Sequence, residues 1–209
     1  MLKSFLLLVM LNISVFAVHY GEVNLNNRDV EVSAKFDMGQ FNYNVEPNTL
    51  FVGGKFLYAD KRNSDGFIPG TIDQNLTDSN LTTGDTIDPY FELNVLMMKQ
   101  IGNRGMYFGM GAKMNFTKKY FSIPLGAEFK YVIPARDLIP MFIHGSLYYA
   151  PGVLSFKDAD NFLEYRISYD VEIIPNGYVT LGYRGLDTNY ELGDFVYNRS
   201  WFIGFKVGF

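Results

Sequence analysis

The sequence predicts an all-β fold, an antiparallel transmembrane β-barrel of ten strands with eight as the alternative, behind a cleaved amino-terminal signal peptide. Three observations carry this. The chain ends in a strict alternation: Trp201, Ile203, Phe205, Val207 and Phe209 fall on one face, and Ser200, Phe202, Gly204, Lys206 and Gly208 on the other. A period of two marks a strand, because successive side chains leave opposite sides of the backbone. The 15 tyrosines and 19 phenylalanines exceed soluble usage, yet mean hydropathy is near neutral. Apolar and polar residues are therefore interleaved, as a lipid-facing exterior with aromatic girdles requires. Short turns rich in Pro, Gly and Asn also alternate with longer polar loops, the asymmetry of barrels whose short turns lie in the periplasm.

Residues 1–17 read as a secretory signal. Lys3 gives a short basic start, Ser4 to Phe16 is apolar, and Val15-Phe16-Ala17 offers a small residue at the cut. The apolar run is short for a membrane anchor and carries Asn12. Beyond it no stretch approaches ~18 apolar residues, so no transmembrane helix is expected.

From residue 18 onward the barrel is expected. His19 to Leu25 is a short extended segment closed by Asn26-Asn27. Val30, Val32, Ala34, Phe36 and Met38 alternate with Glu31, Ser33, Lys35 and Asp37, and Phe41, Tyr43 and Val45 continue the pattern to Glu46-Pro47-Asn48. Thr49 to Asp60 is the next strand, followed by a long polar external loop over residues 60–86. The sequons at Asn75 and Asn80 read as simple loop composition. Ile87 to Met98 and Met106 to Phe116 alternate on either side of Gly102-Asn103-Arg104-Gly105. Phe121 to Tyr131, Ile139 to Tyr149, Leu163 to Ile173 and Tyr178 to Leu186 follow. Polar loops are expected over Pro151 to Asp160 and Asp187 to Tyr197, and Pro175-Asn176-Gly177 is a hairpin turn. Working back from Phe209 yields eight strands to Thr49. With both termini on the periplasmic side the number is even, so the preceding segment adds two more or forms part of a plug.

With the apolar face toward lipid, the other face lines the lumen. It carries Lys35, Lys55, Lys113, Lys130, Arg166, Arg184 and Lys206 against Glu31, Glu92, Glu128, Glu164, Asp170 and Glu172, a near match of sign. A lumen of one sign would indicate charge-selective conduction. A balanced one in a narrow barrel indicates ion pairs and hydrogen bonds filling the interior, with a narrow pore or small-solute cavity as the alternative. His144 also faces this lumen.

The net charge of −4, more negative once Lys3 leaves, speaks against nucleic acid as a partner. The absence of cysteine excludes disulfides and thiolate metal sites, and neither a metal cluster nor a nucleotide fingerprint is recognisable, so no cofactor is expected.

Several segments carry a resemblance: Tyr148-Tyr149-Ala150-Pro151, Glu164-Tyr165, Leu181-Gly182-Tyr183-Arg184 after the Pro-Asn-Gly turn, and Ile203-Gly204-Phe205-Lys206-Val207-Gly208-Phe209. Through them the carboxyl-terminal half resembles the YfaZ family of outer-membrane proteins, and the Gly53-Gly54-Lys55 strand and Asp65-Gly66 fit loosely. The resemblance implies a barrel in the outer membrane of a Gram-negative bacterium and brings no activity with it. The terminal strand is similar to the assembly signal of outer-membrane barrels, which implies that Phe209 is read by the assembly machinery. The partners expected are thus that machinery and outer-membrane lipid. His144 and Ser146 on one strand, with Glu164 on the next, resemble the Ser-His-acid set of outer-membrane lipid A deacylases. Here the pair faces the lumen, away from any acyl chain, and Gly145 after His144 departs from that motif. The expected role is therefore non-enzymatic: structural, or interaction with the cell's surroundings through the loops.

Overall fold

The computed structural model describes residues 19–27, 29–59, 63–64, 89–102, 105–118, 120–134, 139–157, 159–190 and 193–209. The leader over residues 1–17 lies outside them, as does the loop over residues 60–86 apart from Asn63–Ser64.

The alternating segments become β1 (Tyr20–Leu25), β2 (Asp29–Asp37), β3 (Leu50–Ala59), β4 (Asn63–Ser64), β5 (Tyr90–Ile101), β6 (Met106–Phe116), β7 (Tyr120–Ser122), β8 (Leu125–Ile133), β9 (Met141–Ala150), β10 (Ser155–Lys157), β11 (Ala159–Ile174), β12 (Gly177–Tyr190) and β13 (Gly193–Gly208). Ten of them close an antiparallel barrel in the order β1-β2-β3-β5-β6-β8-β9-β11-β12-β13. The circle shuts where β13 pairs with β1, from Tyr20 opposite Gly208 to Leu25 opposite Ile203. Beyond that seam, the backbones of His19 and Phe209 exchange two hydrogen bonds of 2.9 and 2.8 Å. The larger of the two expected strand numbers is the one found, because Tyr20–Leu25 is a full partner of both β2 and β13.

The alternation sorts side chains as expected. On β5 and β6, Met97 and Met110 are 68% and 69% exposed, whereas Glu92 and Lys113 on the opposite face are 3% and 5% exposed. The outer wall is apolar and the interior polar, the reverse of a water-soluble barrel. One outward row is wholly aromatic: Phe56, Phe91, Phe116, Phe121 and Phe156 stand opposite one another across β3, β5, β6, β7 and β10. Ring centroids within this row are 4.8 Å apart for Phe56–Phe91, 5.1 Å for Phe116–Phe121 and 5.4 Å for Phe121–Phe156.

Three expectations from the sequence are corrected. The alternation does not run through Phe41, Tyr43 and Val45. β2 stops at Asp37, whose side chain accepts from the backbone N–H groups of Gly39 and Asn48 and so starts a 3-10 turn over Met38–Gln40. Asp37 is a helix-capping residue type, and local capping outcompetes a hydrophobic period. The expected loop over Asp187 to Tyr197 is mostly sheet, because β12 runs to Tyr190 and β13 begins at Gly193. The expected loop over Pro151 to Asp160 contains a 3-10 turn at Gly152–Leu154 and β10, which pairs with β7. Tyr120 to Ile133 keeps one register against β6 throughout, interrupted only where Pro124 cannot donate.

The β1–β13 seam, the β5–β6 turn and the β11–β12 turn lie at one end of the barrel, called here the termini end. The β5–β6 turn needs positive φ, 64° at Gly102 and 68° at Gly105. The β11–β12 turn places Asn176 at φ 58°, a value Asn tolerates well. Glycine is also required inside the wall at Gly126, where an added Cβ would meet the carbonyl of Leu147 and lie 2.6 Å from the Cα of Tyr148. The missing side chain lets the Tyr148 ring lie flat against the wall. Gly126→Ala is expected to cost about 1–3 kcal/mol through this clash, measured as a lowered urea midpoint in detergent with unchanged m-value.

Candidate functional site in the barrel lumen

The inward positions of β2, β3, β5, β6, β8, β9, β11, β12 and β13 bring most of the expected lumen residues into contact. Four groups of charges occupy successive parts of the interior. Lys55 and Lys113 each contact both Glu92 and Glu164. The Lys55 ammonium lies 2.6 Å from an oxygen of each, and that of Lys113 lies 3.3 Å from Glu92 and 2.8 Å from Glu164. The four form a ring of alternating sign. Tyr90 donates to Glu92 at 3.0 Å, and the Lys113 ammonium sits 4.0 Å from the Tyr148 ring centroid.

A second group spans the barrel. Arg166 pairs with Glu22 and with Glu31 at 2.6 Å, while Arg184 pairs with Asp29 and with Glu31 at 2.9 Å. Asn24 donates to Glu22 and Glu31, and Asn198 to Asp29. The guanidinium carbons of Arg166 and Arg184 stand 4.4 and 5.4 Å from the Phe202 ring centroid. A planar guanidinium both stacks on a ring and forks between carboxylates, which a lysine could not do here.

The third group centres on Glu128. Lys35 donates to both of its oxygens at 3.1 and 2.9 Å, Tyr148 donates at 2.9 Å, and His144 Nε2 lies 3.0 Å away. In the fourth, Lys206 and Thr180 donate to Asp170 at 2.6 and 2.8 Å. Lys130 belongs to none of these: its ammonium lies 4.7 Å from the Phe142 ring centroid and 6.0 Å from that of Tyr20. Glu172 stands at the rim, where it accepts from the backbone N–H of Asn176 in the turn.

The structure does not assemble Ser146, His144 and Glu164. The carboxylate beside His144 is Glu128, Glu164 is engaged by two lysines, and Ser146 stands opposite Arg166 in the pairing of β9 with β11. Reading the sequence missed Glu22, Asn24 and Asp29. Their signal was parity: Asp29 shares the face of Glu31 on β2, and Glu22 and Asn24 alternate with Val23 and Leu25 on β1.

The lumen differs at its two ends. Away from the termini it is shut by Leu57, Tyr90, Tyr120, Ala150, Ala159, Phe162 and Leu186, all buried. The Phe162 ring lies 6.4 Å from that of Tyr90 and 5.8 Å from that of Tyr120. Tyr90 belongs to both layers, its ring in the apolar plug and its hydroxyl on the charged ring beneath. Toward the termini the lumen widens into a cavity of about 640 Å³, whose lining includes the exposed turn residues Glu46, Pro47, Asn48 and Asn176. The interior is therefore a vestibule, open at the termini end and closed at the other among the described residues.

No family model matches this chain, and no curated protein matches it.

The charged ring is expected to act as a unit. Glu164→Gln leaves two buried ammonium groups sharing Glu92, and a loss of about 3–5 kcal/mol is expected. Lys55→Met in that background is expected to recover part of it, which a double-mutant cycle of urea unfolding measures.

Proposed function

We propose that the protein is an integral, non-enzymatic barrel of a Gram-negative outer membrane that does not conduct ions, and that its role is structural or surface-interacting. The observation that carries this reading is the pairing of an apolar outer wall with a charge-paired lumen that is closed at one end among the described residues. A contiguous apolar surface this large would be unstable in water. Strands of about nine to eleven residues suffice to cross a bilayer when tilted, and β2, β3, β5, β6, β8 and β9 have between nine and twelve. A closed barrel also leaves no backbone donor or acceptor facing lipid.

The expected export signal and the resemblance to the YfaZ family support the same location. In that setting the termini end faces the periplasm. The β12–β13 hairpin then lies at the outward end and is available to the surroundings. Phe209, tied to His19 at the seam, is the natural element for assembly machinery to read. Lipid and that machinery are the partners proposed; nucleic acid is not among them.

A second reading is favoured by the vestibule, whose volume lies in the range of small-molecule sites. In it the barrel holds a solute without passing it through.

Membrane fractionation with gels of unheated and boiled samples tests the location. Recovery in the outer membrane with heat-dependent migration is expected, whereas recovery in the soluble periplasm would overturn the reading. In planar bilayers the wild type is expected to give no unitary steps, because ions meet the aromatic plug and the charged ring in series. Regular open-channel steps would transfer the protein to the conducting class.

A further inference from the structure

We propose that the vestibule binds a small organic carboxylate through Lys130. Six inward cations of the described strands already have carboxylates: Lys35 has Glu128, Lys55 and Lys113 have Glu92 and Glu164, Arg166 and Arg184 have Glu31, and Lys206 has Asp170. Lys130 alone of the inward lysines and arginines named has none within 4 Å among the described residues. A cation held away from bulk water without a counter-charge is unfavourable, and a bound anion removes the deficit.

The surroundings select the kind of anion. Lys130 projects into the cavity, whose wall beside it includes Tyr20, Tyr107, Phe142 and Tyr178. Phe142 and Tyr178 stand edge to face, with centroids 5.5 Å apart. Next to the aromatic wall are two ammonium groups, Lys35 and Lys206, each still held by its own carboxylate. One uncommitted ammonium with aromatic walls suits a monoanion with an apolar or flat body. A highly charged ligand such as a polyphosphate would face Glu22, Glu128 and Asp170, which line the same cavity. The cavity's lining continues to the exposed turns at the termini end, so a ligand has a route in from that side. The site depends on the lumen and not on which membrane holds the barrel, so its failure and that of the proposed location are read separately.

The test is a calorimetric titration of the purified full-length protein in detergent with benzoate, and with benzyl alcohol as the uncharged counterpart. Benzoate is expected to saturate the wild type and to bind Lys130→Met at least about tenfold more weakly. Lys130→Arg is expected to restore binding, and benzyl alcohol to distinguish none of the three. Equal benzoate affinity in wild type and Lys130→Met, or no saturation of the wild type by about 10 mM, would overturn the proposal. Acetylation of lysines in the wild type, read by mass spectrometry, provides a check that needs no variant. Benzoate is expected to slow modification of Lys130 several-fold, and an unchanged rate would overturn the site equally.

Discussion

Most inward charges of this barrel find their partners inside the barrel. Ten strands enclose a space narrow enough to be filled by side chains, and lumen water cannot solvate a dozen charges as bulk water would. The charges therefore answer one another across the interior. Glu31 on β2 meets Arg166 on β11 and Arg184 on β12, and Lys55 on β3 meets Glu164 on β11. None of these pairs exists in an isolated hairpin. The interior is satisfied only when the sheet has closed, so the polar network rewards closure itself and adds little to any local piece. Buried ion pairs are weak sources of net stability, but as devices that penalise a mispaired or open sheet they are strong.

The glycines and aromatic residues of the inner face follow from the same shortage of space. Tyr148 and Phe202 lie against the wall over Gly126 and Gly182, and the rings then carry cations on their faces. A barrel of this bore has no room for both a side chain beneath the ring and an ion pair above it. The apolar plug uses the remaining width at the far end, and Tyr90 joins plug to ring through a single hydroxyl.

Much of this was legible in the sequence because a strand's period is rigid. Alternation from Met106 to Phe116 or from Leu163 to Ile173 assigns faces without knowledge of neighbours, so charges such as Lys113, Glu164 and Arg166 could be placed on one face from the sequence. What remained hidden was of two kinds. Which charge meets which is a matter of register across the barrel, and no local pattern connects Glu22 to Arg166. Strand ends were the other kind: the segment from Asp187 to Tyr197 reads as a loop because the alternation of apolar and polar faces that marks the other strands is lost there. Asp37 misled in the opposite direction, since an apolar period continued through Phe41 and Tyr43 while the capping carboxylate had already turned the backbone.

The seam between β1 and β13 has a consequence for how the chain reaches this state. Most neighbouring strands are also neighbours in sequence and can zip as hairpins, with the low contact order that favours rapid folding. β1 and β13 join the two ends of the chain over six residue pairs, whereas β12 and β13 share fourteen. Loop-closure entropy for joining the ends of so long a segment is on the order of 4–5 kcal/mol beyond a fixed term, and a six-residue ladder is a small return on it. The ladder is thus the last and slowest joint, and until it forms both edge strands stand open as templates for foreign pairing. The entropic cost of closing the fold is thus concentrated at one short joint instead of being spread over all ten.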